Sequence, residues 1–180
     1  MIEKLYKWLI QLYPMAKKVD KEFKEYAGAI VLGLNDAIVE LTGALAGLTF
    51  ALQNSRIIAV TGLITGFAAS LSMAASEYLS SEEEADIHSE RKPLRSAIYT
   101  GLTYLIAVIL LVMPYILIDN VYKALTSTVI IALIIIAVYS YYISKLKKKT
   151  FSRRFMEMAL ISFTVAIISF IFGMFLRGYL

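Results

Sequence analysis

Polar positions along this chain collect in short clusters between long apolar runs. A helix that crosses a hydrocarbon core needs about 20 apolar residues. Five such runs are legible, at approximately 26–52, 57–81, 94–118, 122–144 and 155–178. The first two are not uniformly apolar. Along the first, Gly33, Asp36, Glu40, Gly43 and Gly47 fall on one helical face, and along the second so do Gly62, Gly66, Ala69, Met73 and Glu77. Both stripes follow the three-and-four spacing that aligns residues on one side of a helix. A short polar turn at Gln53-Asn54-Ser55-Arg56 joins the two runs. Chain reversal there puts the two glycine-bearing halves at one depth and the two ligand-bearing halves at another. Counted from the turn, Asp36 lies level with Met73, Glu77 about a turn nearer the N-terminal side, and Glu40 about a turn deeper. Carboxylates inside a membrane are rare and mark ion pathways. Carboxylates opposite a thioether suggest a divalent transition metal.

The flanking segments follow the same logic. Residues 1–13 carry Leu5, Trp8, Leu9 and Leu12 on one side and Lys4 and Lys7 off it, the pattern of an amphipathic helix lying in the membrane interface. Pro14 ends or bends it. The expected organisation is therefore a surface helix and lead-in over 1–25, then a five-helix transmembrane domain over 26–180. Past the second run, the acidic 82–90 segment places Glu83, Asp86 and Glu90 on one face and pairs Glu84 with His88 at i,i+4. Carboxylate and imidazole can hold Fe(II), Mn(II) or Zn(II), although charge runs are commonly just solvated. Pro93 opens the third run. Tyr139, Tyr141 and Tyr142 form an aromatic belt at the end of the fourth. Glu157 stands near the start of the fifth, as a weaker ligand candidate or as a partner for Arg153 or Arg154.

Composition sharpens this picture. Of 180 residues 59% are hydrophobic, and the mean hydropathy is +0.69, so the fold class expected is an all-α integral membrane protein. The net charge of +4 would suit nucleic acid if it were clustered on a soluble domain. Instead the basic residues lie before the first run, between the second and third, and between the fourth and fifth. That distribution predicts a cytoplasmic N-terminus and an outer C-terminus, with anionic lipid rather than nucleic acid as the contact. No cysteine is present, which excludes disulfides and thiolate metal sites. With one histidine and neither a nucleophile elbow nor a phosphate loop, no catalytic residue set stands out, and neither an enzyme nor a prosthetic group is expected.

At this point three motifs, in order and on the right helices, carry a resemblance. Gly33-Leu34-Asn35-Asp36, Ser72-Met73-Ala74-Ala75-Ser76-Glu77-Tyr78-Leu79-Ser80 and Pro93-Leu94-Arg95-Ser96-Ala97 are together similar to the vacuolar iron transporter (VIT1/CCC1) family of five-helix proteins. The resemblance runs over nearly all of the chain from Glu25 onward. It implies a homodimer in the lipid bilayer, with an ion path between the two protomers' first helices, that removes Fe(II) from the cytoplasm against protons. By position it places Asp36 and Met73 in the path and Glu25 at its cytoplasmic mouth. The chain departs from the family in three ways. The glutamate- and methionine-rich metal-binding domain between spans two and three is reduced to about a dozen residues, so this is a short form. An acid two turns before the methionine is Thr65 here. Glu40 and Glu77 add carboxylates. Some relatives carry a ferritin-like domain, and a separate soluble ferritin-like iron carrier could serve the short form. The membrane expected is a prokaryotic cell membrane.

Two readings follow. In the first, the chain transports Fe(II) or Mn(II) by proton antiport through Asp36, Met73, Glu40, Glu77 and Glu25. Desolvation and mutual repulsion disfavour the charged carboxylates when metal is absent, and metal binding needs them deprotonated. In the second, the chain is a non-transporting membrane module whose acids lock helices together, or which docks a soluble iron-handling partner through 82–90. Mid-membrane acids cost several kcal/mol by insertion scales, while interhelical polar contacts return modest energies. That imbalance favours transport.

Overall fold

A computed structural model describes residues 25–85, 92–147 and 150–179, and the regular structure among them is helical. Helix α1 spans Ala27–Leu52, α2 Ser55–Ala85, α3 Pro93–Leu117, α4 Val121–Lys147 and α5 Phe151–Tyr179. All five are long and apolar enough to cross a membrane. Helix α2 outruns its apolar stretch because glutamate is a good helix former: the charges at Glu82, Glu83 and Glu84 end the hydrophobic run without ending the helix. The expected amphipathic helix at 1–13 lies outside the described residues, as do Asp86, His88 and Glu90.

Local chemistry sets the boundaries. Gln53 closes α1 in the left-handed region, at φ 50°, and Asn54 then accepts a bond from the Ile57 N–H at 3.1 Å. Such a side chain satisfies one of the donors left open at a helix start. Asn120 does the same for α4, accepting from the N–H groups of Tyr122 and Lys123 at 3.1 and 3.0 Å. Pro93 stands at the start of α3, where its fixed φ suits the first turn and its missing N–H costs nothing. Pro114 lies inside α3, and the helix stops within a turn of it.

Helix α1 is the innermost element, with 50% of its most apolar window buried against 17% for α5. It packs chiefly on α5 and α3, whereas α2 packs chiefly on α3. The glycine halves of the first two spans, expected at one depth, each pack on a different helix. Gly43 and Gly47 meet Val165 and Ser169 of α5, and the backbone of Gly47 lies against Gly173. Gly62 and Gly66 receive Val112 and Val108 of α3. The reason is steric: two valines spaced i,i+4 form a ridge that fits the groove of two glycines at the same spacing. A second glycine groove could not fill the first. Helices α1 and α2 still touch near their turn, where Gly62 meets Leu45.

Side-chain bonds tie the helices across the core. Thr100 donates to the Ala29 carbonyl at 3.1 Å, and Thr128 to the Leu111 carbonyl at 2.8 Å. The hydroxyls of Thr49 and Tyr115 bond to each other while buried. The outer surface is apolar, with Ile64, Leu71, Ile106, Ile134, Ile168 and Phe175 among its exposed side chains. That suits lipid tails and not water.

Candidate functional site

The site starts from α1. At 1.5 Å per residue, Asp36 stands about 14 Å and Glu40 about 20 Å from the start of the helix, so Glu40 is at mid-span. The two share a face at i,i+4 spacing. That face continues through Gly28 and Leu32, both exposed, and Asp36 is half-buried while Glu40 is exposed. The acidic stripe therefore lies on the least covered side of α1.

Glu40 also lines a cleft of about 950 Å³, its open mouth included, between the C-terminal half of α1 and helices α2 and α5. Thr61, Thr65, Tyr104 and Ser169 line it as well. Tyr104, fully buried on α3, donates its hydroxyl to Glu40 Oε2 at 2.7 Å. Thr65 donates to the Thr61 carbonyl at 2.8 Å, which leaves its oxygen lone pairs able to accept.

On α2, Met73 is half-buried against the hydrophobic core. One turn on, Glu77 is half-buried and accepts bonds from Ser96 of α3 and from Ser81 at 3.2 Å. Among the described residues no three carboxylate or histidine side chains gather at one point. Within one chain, Asp36, Glu40 and Glu77 therefore do not form a single cluster. Because α2 docks on α3, the Glu77 carboxylate is engaged by Ser96 there, and the α1 pair is a separate element.

The remaining candidates separate by position. Glu25 is half-buried just ahead of α1, and Glu83 and Glu84 are exposed at the end of α2. Asp86, His88 and Glu90 fall outside the described residues. Glu157 pairs with Arg153 at 2.9 Å on an exposed surface, the ordinary fate of a charge near the interface. Beside it Arg154 donates to the Tyr139 hydroxyl at 2.9 Å.

Two participants were not singled out from sequence. Tyr104 gave a usable signal, since a tyrosine at mid-span lies outside any interfacial belt and must find a polar partner. Ser96 stood only within the Pro93–Ala97 motif, with no role of its own, because a serine near a helix start is usually just a start signal.

A sequence model of the VIT family matches this chain over residues 27–92 and 86–174. No curated protein matches it.

Proposed function

The chain belongs to the VIT family, a family of membrane metal transporters, and from that premise we propose that it moves Fe(II), or Mn(II), out of the cytoplasm by proton antiport as a homodimer. With five helices of spanning length, it is an integral multi-pass membrane protein. The observation that carries the proposal is the partly exposed stripe of Asp36 and Glu40, in the N-terminal half and at the midpoint of α1. Facing lipid, each ionised carboxylate would cost about 2.5–3.5 kcal/mol on insertion scales. A second copy removes that cost. A two-fold pair is self-complementary, so the stripe meets its own image, and two carboxylates from each protomer bring four to one axis.

Four carboxylates at one axis repel one another when no cation is present. A divalent cation reverses the balance, needs them deprotonated, and so releases protons as it binds. Met73 adds a thioether at about the depth of Asp36, which favours softer borderline ions over Ca and Mg. Glu25, just ahead of α1, and Glu77, toward the C-terminal end of α2, lie on the side of the membrane where the chain enters α1 and form the mouth of the path. The basic residues before α1 and between α2 and α3 support a cytoplasmic position for that mouth. Metal entering there passes Asp36 and Met73, reaches Glu40, and leaves as protons arriving from outside take its place.

Proteoliposomes loaded with an interior pH dye test this. The expected result is metal uptake that carries protons outward, and accumulation of metal against its own gradient when only a pH gradient is imposed. Metal that only runs downhill, with no dye response at matched membrane potential, would replace antiport with a passive channel.

A further inference from the structure

Tyr104 lies midway along α3, with none of its surface exposed, in the same core cluster as Ala107, Val108 and Leu111. Close packing fixes such a ring in one rotamer. Its hydroxyl meets Glu40 Oε2, while the Glu40 side chain is exposed and lines the open cleft. The pair joins a closely packed donor to an acceptor on an exposed side chain. A glutamate in an open cleft has three rotatable side-chain bonds, and one charge-assisted bond to a fixed phenol restricts all of them.

We propose that Tyr104 is a positioning residue for metal transfer, holding one oxygen of Glu40 so that the carboxylate offers its other oxygen to the cleft beside Thr65. The proposal rests on the transport reading above and deepens it. It makes Glu40 a one-oxygen ligand set in advance for the cation. The station so formed has oxygen donors alone, from Glu40 and the hydroxyls of Thr61 and Thr65. Borderline metals are held less firmly by oxygen alone than by a site that adds sulfur. A cation arriving from Asp36 and Met73 would therefore pass to a weaker station on its way out.

A merely structural role is the alternative, with Glu40 doing no more than satisfying a buried hydroxyl. The two roles differ in what Tyr104→Phe does. That change keeps the ring and removes the donor, so under a structural role flux is unchanged. Under positioning, the metal concentration for half-maximal uptake rises about tenfold, the usual worth of a hydrogen bond to a charged group, while thermal stability stays close to wild type. The double variant Glu40→Gln/Tyr104→Phe then behaves as Glu40→Gln alone, because Tyr104 acts only through Glu40. Tyr115→Phe is the control: its hydroxyl bonds to Thr49, away from Glu40, and its uptake curve should match wild type.

The experiment measures Mn(II) uptake into proteoliposomes over a range of concentrations, and Mn(II) binding to each purified variant by electron paramagnetic resonance. Tyr104→Phe with a wild-type uptake curve overturns the proposal. So does a double variant whose loss exceeds that of Glu40→Gln. A wild-type protein that neither binds nor takes up Mn(II) or Fe(II) overturns the transport reading itself, and this inference with it.

Discussion

The close approach of α1 and α5 gives the most direct handle on the fold that presents the acidic stripe. A Cβ on Gly173 would strike the carbonyl oxygen of Gly47, with the Gly47 carbonyl carbon 2.9 Å and its Cα 3.0 Å away. All three are backbone atoms, and ordinary contact begins at 3.4 Å. No side chain can swing aside, so Gly173→Ala requires the two helices to separate. Overpacking of this kind costs about 1–3 kcal/mol, and backbone obstruction places it at the upper end. Alanine returns up to about 1 kcal/mol through helix propensity, leaving a net loss of about 2 kcal/mol. The same helix carries its own control, since Gly178 has nothing within 4 Å of its would-be Cβ. Gly178→Ala should be neutral or slightly stabilising. The assay heats each purified variant in detergent and follows the fraction that remains monodisperse by size exclusion. Gly173→Ala should fail several degrees below both wild type and Gly178→Ala. Equal midpoints for the two alanine variants would refute the packing argument.

Further outcomes follow from the same geometry. A single cysteine introduced at Asn54 or Asn120 should react with a membrane-impermeant reagent from outside, and one at Thr150 only from inside, as the basic-residue distribution requires. Met73→Leu keeps the volume and removes the sulfur, so it should weaken Fe(II) and Mn(II) uptake while leaving a folded dimer. Normal uptake of both metals would make Met73 a packing residue. Glu157→Gln should leave uptake unchanged, because the Arg153 pair is exposed and such pairs are worth little.

The five spans were legible because hydropathy over 20 residues is a strong, local signal, and two of their boundaries followed from the polar turn at Asn54 and from Pro93, which act on their nearest neighbours. The stripe of Asp36 and Glu40 was legible for the same reason, being a matter of spacing on one helix. Which helix meets which was not. Gly43 and Gly62 each belong to a small-residue groove, and such a groove does not name the ridge that fills it. That ridge came from Val108 and Val112 on α3, residues with no polar or small-residue signature. The place of Glu77 followed from this docking, and so could not be read from α2 alone. Tyr104 is intermediate: its need for a partner was readable, but the choice of Glu40 depends on α3 packing against α1.

Removing the first carboxylate of the α1 stripe tests most directly whether that stripe carries metal. Asp36→Ala, purified and reconstituted beside wild type, should show no Fe(II) or Mn(II) uptake in proteoliposomes while retaining wild-type thermal stability and dimer mass. Uptake at the wild-type rate by that folded dimer would contradict the claim and place the path elsewhere in the bundle.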